Sequence, residues 1–368
     1  MSKVKEYLKM ELDLPTFKKI EAVGWTVAAC LFFMFYGNLF AFIAVCVLVR
    51  KVYIRFKKSK VPMLDPEGKV VVVTGCDSGF GLGLAKRLHE KGFTVFAACL
   101  NTESAGGKEL KALAAEKLRV VPLDVTNDDS VSKLHRVVKE QCENKGLWGL
   151  VNNAGLNFVG DVELSTMEQY LTIGNINMYG MVRTCKAFLP LLRQAKGRIV
   201  NVTSVKGLFA IPSNAPYTMA KFGAEAFSET LRLEMSQFGV KVSIIEPCNY
   251  GGATGCLNEA ALKRIKADLD SQWNEAGPDV KEFYGPAHLT QQLDGCQKAA
   301  ATSAPSIDPV LDAFEDALVN PCPSVRYLIS GSKSFFDFYY VLALIQPYLP
   351  QHMFDKVRAY FVPYIVFK

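Results

Sequence analysis

Tyr217 and Lys221 stand four positions apart in a stretch that reads as helix, so their side chains share one face. A phenol is a poor base near neutrality, with an ordinary pKa of about 10, and a neighbouring ammonium favours its ionised form. The pair is therefore a candidate proton acceptor for an alcohol undergoing oxidation. On spacing alone, a packed tyrosine beside a surface lysine fits better. Ser204 closes the run IVNVTS, where its hydroxyl can hydrogen-bond a substrate oxygen; its plainer use is to cap a turn. Asn152-Asn153-Ala154-Gly155 ends an earlier apolar run, with an Asx turn as the plain alternative. A glycine-rich turn, with Gly75, Gly79 and Gly81 in VVVVTGCDSGFGLG (70–83), allows close backbone approach to a pyrophosphate held at a helix N-terminus.

These residues need a scaffold that brings several strand ends together. Short β-branched runs at 69–73, 94–99, 119–122, 147–151, 198–202 and 241–245 alternate with helical stretches, and 325–329 offers a seventh. Such alternation predicts parallel strands joined by helical crossovers, an α/β doubly wound sheet. In that architecture ligands gather at the carboxyl ends of the strands, where Gly75, Asn153 and Ser204 all fall.

As a set, TGCDSGFG (74–81), NNAG (152–155), the serine at 204 and Y-x-x-x-K (217–221) resemble the motifs of the short-chain dehydrogenase/reductase family, in order and in spacing. The resemblance is firm over 68–255. It implies a Rossmann-type sheet of about seven strands and an NAD(P)(H)-dependent alcohol oxidoreductase. By resemblance Tyr217 is the general acid or base, Lys221 lowers its pKa and holds the nicotinamide ribose, and Ser204 positions the substrate oxygen. Asn177, in NINMYG, matches the helix asparagine that holds a relay water. The expected cofactor contacts are Gly75, Asp77, Ser78, Gly79, Phe80, Gly81, Asp124, Val125, Asn153, Ala154, Gly155, Tyr217, Lys221, Pro247 and Thr254. The segment EPCNYGGAT departs from the family pattern at Cys248, where glycine is usual.

The end of the second strand reads Cys99-Leu100-Asn101, without the acid that usually receives ribose hydroxyls and without a cation for a 2′-phosphate. Asp77 would repel such a phosphate, so NAD is expected over NADP. TGCDSGFG, LWGLVNNAG and FGVKVSIIEP are similar to a membrane-linked branch of the family whose members act on 3-hydroxybutyrate, retinol and hydroxysteroids. The runs FLPLLRQAKGRIVN and EPCNYGGAT look most like its hydroxybutyrate-acting members. A small carboxylate substrate needs a cation, and Lys206, two residues past Ser204, is the candidate. A lipophilic alcohol is the alternative substrate. A non-catalytic NAD-binding scaffold is the reading of another class, against which the complete set Asn177, Ser204, Tyr217 and Lys221 argues.

The 368-residue chain is long enough for one large domain or two ordinary ones, and its net charge of +6 is modest. No basic tract interleaved with aromatics points to nucleic acid. Ten cysteines are scattered without a CxxC pair or zinc-like spacing, so neither a disulfide framework nor a metal site is expected. Residues 23–49 carry no charge, and about 20 apolar residues suffice to cross a bilayer. The flank that follows holds Arg50, Lys51, Arg55, Lys57, Lys58 and Lys60 without an acid, which places the bulk of the chain on the cytosolic or matrix side. The expected order is an N-terminal flank (1–22), a transmembrane helix (23–49), a basic linker (50–67), the catalytic domain (68–334) with a lid at about 250–305, and an aromatic tail (335–368) that contacts membrane or pocket or, equally, forms ordinary core and dimer interface. That makes a single-pass membrane protein of endoplasmic reticulum or mitochondrial inner membrane. By resemblance it forms a dimer or tetramer.

Overall fold

The structure is a computed structural model that describes Val49 and residues 62–361 apart from 114, 115, 143 and 335. The chain divides into two units, Met1–Pro62 and Met63–Lys368, and the fold is that of the second. Apart from Val49, the expected span 23–49 lies outside the described residues, as do most of the basic linker, Phe335 and the last seven residues. Among the described residues no helix is long and apolar enough to cross a membrane.

Seven parallel strands form one sheet in the order β3-β2-β1-β4-β5-β6-β7. They are β1 Val70–Thr74, β2 Thr94–Cys99, β3 Leu118–Pro122, β4 Gly149–Asn152, β5 Arg198–Val202, β6 Lys241–Pro247 and β7 Arg326–Ile329. β1 is buried along its whole length because helices cover both faces of a parallel sheet. Alternation divides its valines between two cores. Val71 and Val73 pack with Leu84 and Leu88 of helix α1 (Gly79–Glu90), and with Phe314 and Leu318 from the helix that precedes β7. Leu110 of α2 (Ala105–Leu113) joins that first core, whereas Val70 and Val72 face the opposite one, to which α3 (Asp128–Cys142) supplies Val131, Leu134 and Val138. Burying each such side chain contributes roughly 1.5–3 kcal/mol.

Strand order reverses between β1 and β4, which opens a crevice at their carboxyl ends. After β4 come α4 (Met167–Gly174), a π-helical turn (Asn175–Tyr179) and α5 (Gly180–Ala195); after β5 comes α6 (Ala215–Ser236). The expected lid after β6 is largely helical: α7 (Glu259–Glu275), α8 (Pro278–Tyr284) and α9 (Ala287–Thr302). Its glycines and prolines punctuate these helices: Pro278 opens α8, and Gly285 ends it with φ +74°. α10 (Asp308–Val319) returns to the sheet before β7.

The aromatic tail folds as α11 (Phe338–Ile345) and α12 (Gln351–Phe361). Phe354 and Leu342 pack on Val205 and Phe209 of the loop that follows β5. Phe209 stacks on Tyr339 and meets Phe354 edge-on at 5.7 Å. Arg358 donates to the Ala210 carbonyl at 2.7 Å.

Candidate functional site

The loop after β1 is stapled to the loop after β4. Thr74 Oγ1 accepts the backbone N–H groups of Asn153 and Ala154 at 3.0 Å each. Asn153 Nδ2 donates to the carbonyls of Thr74 and Gly75 at 2.9 and 3.0 Å. Gly75 takes φ +70°, and a side chain there would stand 2.8 Å from Ala154 Cα. At Gly81 a Cβ would overlap the Gly75 carbonyl, so the first turn of α1 sits directly on the loop. Ser78, at the N-cap, makes no side-chain capping bond, so the first N–H groups of this twelve-residue helix keep no side-chain acceptor. A pyrophosphate fits that cradle on both counts, close approach and uncapped donors.

Of the remaining residues expected at the cofactor, Thr254 meets this cradle directly. Thr254 lies 3.1 Å from where a Cβ on Gly79 would stand, which brings the segment after β6 and Pro247 over the glycine loop. Thr254 Oγ1 donates to the Tyr250 carbonyl at 2.9 Å. Phe80 turns its ring onto Tyr250, with centroids 5.4 Å apart, so its side chain serves packing. Asp124, just past β3, accepts the Thr126 N–H and hydroxyl at 2.8 and 2.7 Å, and Val125 is buried against Gly180. Asp77 reaches across to β2, where its two oxygens accept the N–H groups of Leu100 and Asn101 at 2.9 Å each. A carboxylate thus occupies the end of β2 although the strand supplies none.

Ser204, at the carboxyl end of β5, caps the short turn Val205–Gly207 by accepting the Lys206 N–H at 3.2 Å. Helix α6 brings Tyr217 beside Ser204, whose hydroxyl donates to the Pro247 carbonyl at 3.5 Å. Burial pushes the phenol above its ordinary range, and Ser204 partly opposes that shift. Lys221 Nζ lies 5.6 Å from the Tyr217 ring centroid and donates to the Val202 carbonyl at 2.9 Å. Burial pulls its pKa down to about 8. Lys206 Nζ stands 5.5 Å from the same ring, and burial likewise brings it to about 8. Two ammonium groups therefore flank one phenol, an arrangement that favours its ionised form once a hydroxyl proton must be taken up.

Asn177 sits inside the π-helical turn, buried, with its amide spanning both backbone groups of Leu156: Oδ1 accepts at 2.7 Å and Nδ2 donates at 2.8 Å. Gly155 leaves room for it, since a Cβ there would stand 3.1 Å from Asn177 Oδ1. π-Turns of this kind interrupt the regular backbone ladder and occur at functional sites. The amide anchors the loop after β4.

Two groups beside the site have no counterpart among the residues selected from sequence. Glu225, Glu229 and Glu246 converge on Arg326 behind Lys221. The i, i+4 spacing of Lys221 and Glu225 was the legible part of that cluster. Asp161, in the loop after β4, bonds His288 and Gln292 of α9 and accepts from Ser213 at 2.7 Å. This ties the helices after β6 to the entrance of α6, where Ser213 is held at φ +56°.

The family model for short chain dehydrogenases matches residues 69–260. The chain is 43% identical to the mitochondrial D-beta-hydroxybutyrate dehydrogenase of Bos taurus over 269 residues, 72% of this chain and 78% of that protein. It is 36% identical to retinol dehydrogenase 7 of Rattus norvegicus, over 79% of this chain and 88% of that one. Its fold is shared by a short chain dehydrogenase/reductase from Burkholderia phymatum crystallised with NAD, with TM-score 0.61 and 22% identity over 80% of this chain and 97% of that chain. A short chain dehydrogenase from Burkholderia cenocepacia crystallised with NADP gives TM-score 0.57 at the same identity, over 80% of this chain and 99% of that chain.

Proposed function

The chain belongs to the short-chain dehydrogenase family, and from that membership we propose that it interconverts a 3-hydroxy acid of the 3-hydroxybutyrate type and its ketone, with NAD as cofactor. Bound in the crevice, the dinucleotide supplies the hydride acceptor. Gly75, Gly79 and Gly81 hold its pyrophosphate side, with Ser78, Phe80, Asp124, Val125, Asn153, Ala154, Gly155, Pro247 and Thr254 around it. Asp77 favours free ribose hydroxyls over a 2′-phosphate. Ser204 orients the substrate oxygen, Tyr217 takes the hydroxyl proton, and Lys221 stabilises the phenolate. Asn177 passes the proton outward through a relay water that it holds.

The observation that carries the substrate class is Lys206. Its ammonium lies over the Tyr217 ring, and among the described residues no carboxylate pairs with it. A half-buried cation without an anion is costly. A substrate carboxylate one methylene from the carbinol carbon would satisfy it. The D-beta-hydroxybutyrate dehydrogenases among its relatives support this choice. Lys206→Ala should raise KM for 3-hydroxybutyrate at least tenfold while kcat changes less, as expected when a charged contact to bound substrate is lost. An equal loss with retinol would contradict the assignment.

A lipophilic alcohol is the second reading. It is supported by the aromatic tail, whose packing on Phe209 shapes the loop next to Ser204, and by the retinol dehydrogenases among the relatives. The helices after β6 act as a lid, latched at Asp161. Residues 23–49 anchor the enzyme to the endoplasmic reticulum or mitochondrial inner membrane, with the basic flank on the catalytic side. Exposed Leu171, Tyr179, Met219 and Phe222 on α4 to α6 support a homodimer or tetramer. Light scattering of the detergent-solubilised protein tests that assembly.

A further inference from the structure

We propose that Glu225 is a positioning residue for the reaction: its carboxylate, clamped by Arg326, is the counter-charge that keeps the Lys221 ammonium protonated beside Tyr217. The inference rests on the reading of Tyr217 and Lys221 as the proton-accepting pair.

α6 sets Glu225 one turn beyond Lys221, on the same face. Both are buried, with 7% and 4% of their surface exposed. Arg326 Nη1 donates to Glu225 Oε2 at 2.7 Å and also bonds Glu246, while Nη2 donates to Glu229 at 2.6 Å. The second Glu225 oxygen, Oε1, is buried as well. Burial raises the Glu225 carboxyl above its ordinary value, while Thr203, Arg326 and Lys221 oppose that shift and favour the carboxylate. One guanidinium faces three carboxylates, which leaves the cluster net negative when they are ionised. The turn that carries Lys206 closes it from above: a Cβ on Gly207 would stand 3.0 Å from both Glu225 Cγ and the Lys221 carbonyl.

The surroundings of Lys221 make that charge matter. Tyr217 and Glu225 face it from α6 and Cys256 from the segment after β6, while Lys206, on the turn after β5, stands over the ring of Tyr217. Glu246 of β6 and Arg326 of β7 lie behind Glu225, with Glu229 further along α6. Desolvation lowers the Lys221 pKa, and Cys256 and then Glu225, the one carboxylate among these opposing groups, raise it. Without Glu225, Lys221 would become neutral in the working range, and Tyr217 would lose the charge that stabilises its phenolate.

Glu225→Gln keeps the shape and removes the charge. In the full-length, lipid-reconstituted enzyme, the alkaline limb of kcat/KM for NAD should move to lower pH by about one unit, as removal of a close charge does. Glu225→Asp should return most of that shift. Glu229→Gln, at a more exposed carboxylate on the same guanidinium, should leave the limb in place. If the amide variant does not fold, Glu225→Met, an apolar side chain of similar length, repeats the test. A lower melting temperature or lower kcat with the limb unmoved would overturn the proposal and reduce Glu225 to a brace between α6 and β7. Full turnover by Tyr217→Phe would instead overturn the proton-acceptor reading beneath it.

Discussion

Asp77 accepts the backbone N–H of Asn101 at 2.9 Å, a contact across 24 positions that puts a glycine-loop carboxylate at the end of β2. Two unit charges about 4 Å apart interact by roughly 4 kcal/mol at an effective dielectric of 20, enough to govern which ribose is accepted. Asp77→Asn should lower the ratio of kcat/KM with NAD to that with NADP by about tenfold or more. Steady-state kinetics with both dinucleotides measure it, and an unchanged ratio would show that the preference is set elsewhere.

Gly81 has no room for a methyl group, because a Cβ there meets the Gly75 carbonyl and Asn153 Nδ2. Backbone must move to accept one, at a typical cost of about 1–3 kcal/mol. Gly81→Ala should therefore weaken NADH binding by about tenfold or more, read by fluorescence titration. Equal affinity in a variant that melts normally would mean that the loop is not the pyrophosphate cradle.

Glu246 is held protonated into the neutral range, with a pKa of about 7 raised by burial and then by Glu225, while Arg326 opposes. Between the ordinary carboxylate value and about 7, the folded chain binds a proton that the unfolded chain lacks. Stability therefore falls as pH rises through that window. Glu246→Gln removes the titration, so its melting temperature relative to the parent should be higher at pH 8 than at pH 5. A pH-independent difference would show that Arg326 neutralises the group completely.

Phe354 is buried in the tail against Phe209, five residues past Ser204. Phe354→Ala should destabilise the fold by about 3–5 kcal/mol. It should also raise KM for the alcohol, because the loop it supports borders Ser204. Calorimetry and kinetics on the same preparation separate the two effects, and a stability loss with unaltered KM would confine the tail to packing.

Much of this architecture is legible in local pattern. The valines of β1 and the run at 198–202 announce buried parallel strands, because both faces of such strands are apolar. The start of β4 is less legible: Leu147 N–H pairs with the Leu191 carbonyl of α5, so the apolar run begins before the strand does. The helices α8 and α9 hide behind Gly277, Pro278, Gly285 and Pro286, residues that mark helix ends as readily as loops. At the site, residue types and spacing select Ser204, Tyr217 and Lys221, and the structure brings all three together. It also turns Lys206 inward over Tyr217, which spacing alone could not reveal. The side-chain bonds of Asp77 to β2 and of Arg326 to Glu225 join residues 23 or more positions apart; no local pattern carries them.

The most direct test of the account is NADH formation by the full-length protein reconstituted in lipid, with (R)-3-hydroxybutyrate, retinol and a hydroxysteroid offered in parallel and Tyr217→Phe as control. Turnover of the hydroxy acid is expected, lost in the Tyr217→Phe protein while that variant still binds NADH. Turnover of the lipophilic alcohols alone would contradict the carboxylate role of Lys206. NADH binding with no turnover of any of the three would contradict the enzymatic reading and leave a dinucleotide-binding scaffold.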